Sequence, residues 1–376
     1  MKLTAIAKLL PTDEQRQKLL ETLERANAAC NWVSVQAWEA KAFSRVPLHR
    51  LTYYPVRDQF GLSSQLAVRC VAKVVDAYKL DKKTQRTFKP HGAVAFDNRI
   101  LTWYVDRRQI SIWTLNGRIT ISFVAGESHL ELLKFQQGES DLVYRGGMFY
   151  LYATCDIPDA APIDPEGFLG ADMGVKNILV DSDGTIYSAK HLLNVRHRHR
   201  RLRKKLQKKG TKSAKRRLKF LSGKEARFAK DVNHCISKQI VNRAQGTNRG
   251  IAVEDLTDIR TRVRFPRRKR DELSSWSFAQ LRGFIAYKAK RTGVAVVAID
   301  ARYTSQQCSC CGHTSRSNRH NQATFLCVAC GFASHADLNA AVNISRRAAV
   351  NPPYAVCVLG TQSRHNRKLP VSTGCS

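Results

Sequence analysis

The spacing of apolar residues changes its period along this chain, and the changes divide it. Residues 2–10 (KLTAIAKLL) predict a short strand, stopped by Pro11. Thr12 lies three residues before Gln15, the pattern of a helix capping box. Leu19, Leu23, Ala26, Cys30, Val33 and Ala37 then recur at alternating spacings of four and three, which is one face of a helix. Pro47 and Pro55 interrupt that pattern, and Leu66, Cys70, Val74 and Ala77 mark a second helix packed on the first. Trp32, Trp38, Tyr53 and Tyr54 fit either the core of this helical module or platforms for base stacking. From about residue 93 the period falls to two. Ile110, Ile112, Ile119, Ile121 and Phe123 alternate with polar residues around Asn116-Gly117, a hairpin signal. Gly146-Gly147 joins a second pair, DLVYR and MFYLYATCDI. With the N-terminal strand these predict a small β-barrel over residues 1–11 and 86–160, with the helices of 12–85 inserted.

After a proline-containing linker at 159–165 the pattern changes again. FLGADMGVKNILVDSDGTIYSA reads as a buried strand, a tight turn holding Asp172, and a second strand. A helical stretch follows. Its thin apolar stripe of Val195, His199, Leu202 and Leu206 runs among Arg196, Arg198, Arg200, Arg201, Arg203, Lys204, Lys205, Lys208 and Lys209. Beyond Gly210 a second helix carries Phe228, Val232, Ile236 and Ile240 on one face. A basic run is ordinarily a solvated face or a tail. The stripe instead predicts a helical hairpin lying along phosphate backbones. GIAVEDLTDI is a buried strand ending at Glu254, 260–272 an exposed basic loop, Ser274 to Arg291 an amphipathic helix, and VAVVAID another buried strand. Strands alternating with helices imply an α/β domain over 166–307. The tail from 351 to 376 has weak periodicity and is expected to be loose.

Charge narrows the partner. The formal net charge is +33 over 376 residues, which concentrates polyanions at the surface. Nucleic acid fits this charge. A membrane does not, because there is no long apolar run and no lipidation motif. MKLTAIAKLL leads into a helix cap rather than a cleavage site, so no signal peptide is expected. An odd total of 11 cysteines fits a reducing cytosol.

Two cysteine strings are the most specific chemistry. SQQCSCCG holds Cys308 and Cys311, FLCVACG holds Cys327 and Cys330, and each pair is C-x-x-C followed by glycine. Four thiolates from two such knuckles are how one structural zinc is held, over residues 308–332. Cys310, inside the first knuckle, is an alternative ligand. Cys30, Cys70, Cys155 and Cys235 lie on apolar faces or in strand patterns and are expected in the core. HADLNAAVNI follows, with Asp337 opening a helix over 333–350. Asp172, Glu254 and Asp337 each sit at a strand end or a helix start. Singly they could cap a turn, begin a loop and cap a helix. Brought together, three buried carboxylates need cations. Two magnesium ions roughly 3.5–4 Å apart would neutralise them and support phosphodiester cleavage.

The order ADMGVKN, AVEDL, YTSQQCSCCG with FLCVACG, then HADLNAAVNI resembles TnpB, the transposon-encoded RNA-guided nucleases once called OrfB transposases and related to type V CRISPR effectors. The resemblance is specific over about 168–347 and weaker over TDEQ, CNWV and the stretch FKP-HG-AVAFDNR. It implies a multidomain α+β and α/β protein: a wedge-type β-barrel with an inserted recognition helix bundle, then a RuvC-like nuclease domain of RNase H fold interrupted by a zinc ribbon. It maps catalytic, magnesium-binding roles onto Asp172, Glu254 and Asp337, and zinc ligation onto the four cysteines. The function implied is magnesium-dependent cutting of double-stranded DNA beside a short adjacent motif, guided by an RNA from the transposon end, in the prokaryotic cytosol. Guided binding without cleavage, and strand transfer by a transposase, are the alternatives.

Overall fold

The structure is a computed structural model, and it describes residues 1–255 and 278–350. The basic loop at 260–272, the start of the helix at Ser274 and the C-terminal tail fall outside the described residues. The chain forms two compact units, Met1–Pro158 and Asp159–Ser376.

In the first unit, strand β1 (Lys2–Leu10) is followed by helices α1 (Asp13–Glu39), α2 (Arg45–Phe60) and α3 (Ser64–Leu80). The capping box forms at the head of α1: Gln15 N donates to Thr12 Oγ1 at 3.3 Å, and Thr12 N donates to Gln15 Oε1 at 3.1 Å. The six apolar positions read off the sequence of α1 are all fully buried. Strands β2 (Val94–Phe96), β3 (Leu101–Tyr104), β4 (Gln109–Thr114) and β5 (Gly117–Val124), helix α4 (Glu127–Leu133), and strands β6 (Gln136–Arg145) and β7 (Met148–Asp156) complete the unit. The seven strands form one sheet in the order β2-β6-β7-β1-β5-β4-β3. It is nearly closed, because its two end strands are consecutive in the chain and joined by a turn in which Ile100 N and Leu101 N both donate to Asp97 O. Gly146 and Gly147 turn the β6–β7 hairpin with φ of 59° and 80°, the pair of positive values that a two-residue turn matching strand twist requires.

Two expectations for this unit change, and one left open is decided. Helix α2 runs through both prolines. Pro47 falls in the first turn, where its missing N–H costs nothing, and Pro55 is carried inside the helix by the burial of Leu48, Thr52 and Val56. The β4–β5 hairpin turns on Leu115-Asn116, and Gly117 already pairs with Thr114. Trp32, Trp38 and Tyr53 pack against the core, whereas Tyr54 is exposed.

The second unit is built on a five-stranded sheet. Its elements are β8 (Phe168–Asp172), β9 (Asn177–Asp181), β10 (Ile186–Ser188), α5 (Lys190–Lys209), α6 (Lys212–Leu221), α7 (Lys224–Gly246), β11 (Gly250–Glu254), α8 (Phe278–Thr292), β12 (Val296–Ile299), β13 (Thr324–Leu326), β14 (Ala333–His335) and α9 (Ala336–Val350). The order is β10-β9-β8-β11-β12, with β8, β11 and β12 parallel and β9 and β10 antiparallel. Period two sorts the sheet's side chains. Leu169, Ala171, Ile251 and Val253 join α7 and α8 in one core. Ala252 and Val297 meet Ile344 and Ala348 of α9 on the opposite face. The basic hairpin expected from the sequence has a broken second arm, since Gly223 at φ 73° separates α6 from α7. Cys30, Cys70 and Cys155 are buried as expected, but Cys235 is exposed. It lies off the buried stripe of α7, formed by Ala229, Asn233, Ile236, Ser237 and Ile240.

Gly170 governs the approach of α9 to the sheet. A Cβ there would run into the carbonyl of Ala341 and come within 2.7 Å of Ser345 N, both backbone atoms of α9. Gly283, exposed on α8, has open space where its Cβ would be. Gly170→Ala is therefore expected to destabilise this unit by about 1–3 kcal/mol through overpacking. Gly283→Ala should stabilise it by up to about 1 kcal/mol, because alanine favours helix. Thermal melts of the two variants should shift in opposite directions.

Candidate metal centres

The close approach at Gly170 sets the register of three acids. Asp172 is the last residue of β8 and Glu254 the last of β11. These strands are parallel with Ala171 opposite Val253, so the two acids stand side by side at the carboxyl ends of their strands. Helix α9 runs antiparallel to β8 on the face that Gly170 opens. Ser345 Oγ donates to Phe168 O at 2.5 Å, and Ala341 lies against Gly170. One further step along each element reaches Asp337 and Asp172. Four helical residues rise about 6 Å and two strand residues about 6.6 Å, so the match holds along the whole interface.

The electrostatics agree with this placement. Burial pushes the Asp172 carboxyl well above the usual carboxylate range, and the negative charges of Glu254 and Asp337 push it further, while Arg319 acts in the other direction. Burial also raises Glu254, partly offset by its hydrogen bond with Thr304. Each acid has a polar partner or a charged neighbour. Thr304 Oγ1 meets Glu254 Oε1 at 2.5 Å, Asn177 Nδ2 donates to Asp337 Oδ2 at 2.9 Å, and Arg319 Nη2 approaches Asp337 Oδ1 at 3.4 Å. Asp337 is thus held by side chains of β9 and of the segment between the two knuckles, not by the first-turn N–H that a helix cap would use. The charges of Glu254 and Asp337 acting on the buried Asp172 carboxyl are the kind of repulsion that a hard divalent cation, which takes oxygen ligands, would lower.

The second cluster is made of sulfur. The Sγ atoms of Cys308, Cys311, Cys327 and Cys330 all lie within 4.8 Å of one another, with Cys308–Cys330 at 3.7 Å and Cys311–Cys327 at 3.6 Å. Sulfurs set tetrahedrally at about 2.3 Å from a zinc ion are about 3.8 Å apart, so the donor set fits that ion. Each knuckle closes through a left-handed glycine. Gly312 (φ 77°) donates its N–H to Cys308 O, and Gly331 (φ 70°) to Cys327 O. Burial raises the Cys327 thiol, but the N–H groups of Cys330 and Ala329 and the thiols of Cys311 and Cys330 outweigh it and bring the group down to about 6, while the same shared thiol hydrogen bonds hold Cys311 and Cys330 up, so the four sulfurs titrate as one set. Cys310 is exposed and outside the cluster, with its backbone N–H on Cys308 Sγ at 3.4 Å.

Of the basic residues on α5, Arg198, Arg200, Arg201, Arg203, Lys204, Lys205, Lys208 and Lys209 are exposed. Arg196 is not. Its side chain is 12% exposed and faces Glu225 of α7 at 3.4 Å, which makes it an internal pair. The sequence reading missed Asn177, Thr304 and Arg319. Only their nearness to ADMGVKN and to the cysteine strings hinted at them.

Residues 153–260 match the family described as "Probable transposase", and residues 278–344 match "Cas12f1-like, TNB domain". The chain is 43% identical over 127 residues to a CRISPR-associated endodeoxyribonuclease Cas12f1 of Sulfoacidibacillus thermotolerans, a match covering 33% of this chain and 28% of that one. It is 30% identical over 207 residues to a TnpB-like protein of Methanocaldococcus jannaschii, covering 51% of this chain and 73% of the relative. The chain thus spans under a third of that Cas12f1 relative's length. Among solved structures, a Cas12f1–sgRNA–target DNA complex superposes with a TM-score of 0.58 at 17% identity, over 88% of this chain and 83% of the other, a likeness of fold. No helix among the described residues is long and apolar enough to cross a membrane.

The purified protein should carry one zinc ion per chain. Cys327→Ser/Cys330→Ser should remove it, because two of four ligands are gone, whereas Cys310→Ser should keep it. Elemental analysis of the three proteins checks this.

Proposed function

The chain belongs to the family of TnpB-like proteins, and we propose that it is an RNA-guided DNA endonuclease. In this reading residues 166–307 and 333–350 form a RuvC-like nuclease domain of RNase H fold, with the zinc ribbon of 308–332 inserted. Residues 1–11 and 86–160 are the wedge barrel, and 12–85 the recognition helices. The observation that carries the proposal is the convergence of Asp172, Glu254 and Asp337 at the ends of β8 and β11 and the start of α9. The relatives named endodeoxyribonucleases support the same chemistry.

The residues divide the work. Asp172, Glu254 and Asp337 would hold two magnesium ions. Bound there, divalent cations supply an activated water and stabilise the leaving oxygen of a phosphodiester. Arg319 offsets part of the acids' mutual repulsion, and Asn177 fixes the Asp337 carboxylate by donating one N–H while leaving its charge in place. The exposed cations of α5 bind phosphates irrespective of sequence. Sequence selection would fall to base pairing between a transposon-derived guide RNA and the target strand, and the protein itself would read a short flanking motif in the duplex.

Because the acids and the basic surface are separate, their functions should be separable. Asp172→Ala, Glu254→Ala and Asp337→Ala should each abolish cleavage of a matched duplex and leave guided binding intact, measured by a cleavage assay beside a gel-shift titration. A guided protein that does not cleave would leave the matched duplex whole in the wild type too, and a strand-transfer transposase would act on transposon ends without the RNA. Neutralising Arg198, Arg201, Lys204 and Lys205 should weaken binding uniformly across sequences. The slope of log affinity against log salt should flatten by about one for each phosphate that the protein no longer neutralises.

A further inference from the structure

Helix α9 has two working faces. The face bearing Asp337, Ala341 and Ser345 lies on β8. The other, with Asn339, Asn343 and Arg347, gathers the segment that runs from the end of β12 to the first cysteine knuckle. Asn343 Nδ2 donates to Thr304 O at 3.0 Å and to Gln307 O at 2.7 Å. Asn339 Nδ2 donates to Gln307 O at 2.8 Å, and its Oδ1 accepts from Ser309 N at 2.9 Å. Arg347 donates to the carbonyls of Asp300 and Arg302 and to Gln307 Oε1.

Inside this segment Tyr303 has φ of 63°, a left-handed conformation unfavourable for a residue with a Cβ. The ring does not account for it, since Tyr303 is 61% exposed. What the turn achieves is to deliver the next residue: Thr304 is 2% exposed, and its hydroxyl sits 2.5 Å from Glu254 Oε1. Strained backbone of this kind persists where the surroundings over-determine it. The bonds from α9 do so here.

We propose that Thr304 is a positioning residue for Glu254, and that Asn343 sets the turn that presents it. Engaging one carboxylate oxygen fixes the rotation of the Glu254 side chain before an ion arrives. Asn343 does this from the same helix that carries Asp337, so two of the three acids take their placement from α9. The inference rests on reading Glu254 as a metal-holding acid.

The test measures manganese binding to the full-length protein by electron paramagnetic resonance, beside zinc content, melting temperature and the magnesium concentration for half-maximal cleavage. Thr304→Val should weaken manganese binding about tenfold and raise the magnesium requirement in step, the size of effect usual when a partner of a metal ligand is removed. Zinc content should be unchanged. Thr304→Ser should restore both values, and Thr304→Ala should behave as Thr304→Val, standing in for it where the valine variant folds poorly. Asn343→Ala should shift affinity in the same direction, and its effect should not add to that of Thr304→Val. Wild-type manganese affinity in folded Thr304→Val or Thr304→Ala would overturn the proposal, as would a serine variant no better than valine. Glu254→Gln separates the two readings. If it too keeps wild-type binding and cleavage, the metal site itself is misassigned. If it loses both while Thr304→Val and Thr304→Ala lose neither, only the positioning role falls.

Discussion

The approach of α9 to β8 without an intervening side chain is the constraint on which the second unit depends. Helix-on-sheet packing normally leaves room for a layer of side chains. Here Gly170 on the strand, and Ala341 and Ser345 on the helix, let the two backbones nearly touch. An approach that close tolerates no slip, so it fixes the axial register of the helix against the strand. Asp172 lies two residues beyond Gly170 and Asp337 four before Ala341, which carries that register directly into the spacing of the acids. Glu254 joins through the parallel ladder of β8 and β11, where pairing permits only shifts of whole residues. The acid site thus inherits its geometry from the strand ladder and from the close helix–strand contact.

The placement is costly, and the structure shows where the cost is met. Carboxylates crowded at low solvent exposure repel one another and resist ionising, as the raised proton affinity of Asp172 records, and burial raises Glu254 as well. Arg319, Asn177 and Thr304 offset part of this, each from a different segment. The remainder is the repulsion that a bound cation would relieve in the proposed reading. A cluster fully neutralised by its own arginines would be more stable and would have no reason to bind a metal. Position matters as well. Asp172 and Glu254 stand at the carboxyl ends of parallel strands, where an α/β sheet leaves its crevice.

What could be read from the sequence follows from which forces are periodic. The faces of α1 and α3, the β6–β7 hairpin and the strands ending at Asp172 and Glu254 were legible, because burial repeats with the period of the element. The four cysteines were legible because metal ligation imposes its own spacing. Gly170 was not, since a glycine in a strand pattern says nothing about what approaches it. Nor were Thr304, Asn339 and Asn343. The two asparagines bond to backbone carbonyls and N–H groups, which every residue has, and Thr304 meets an acid fifty residues away, so no sequence pattern marks the partner. Arg196 and Cys235 failed for a related reason. A basic run or a helical cysteine declares a side-chain type, but the turn of the helix decides whether Glu225, solvent or the core meets it. Pro55 shows tertiary packing overriding a local breaker.

The distribution of charge closes the argument. The net charge of +33 is not spread evenly, and α5 is its extreme. Only Leu192 of its twenty residues is buried, and its cations recur at helical spacing: Arg196, Arg200, Lys204 and Lys208 are each four apart, as are Arg201, Lys205 and Lys209. Like charges at that spacing destabilise a helix by about 0.2–0.5 kcal/mol per pair. Glu225 relieves part of this at Arg196 and Arg203. A polyanion laid along α5 removes the repulsion and gains the released counterions as well. Helix stability and the proposed phosphate binding would therefore be linked on α5. The acid cluster has the opposite sign and the same logic, an arrangement whose self-repulsion the proposed cations would relieve.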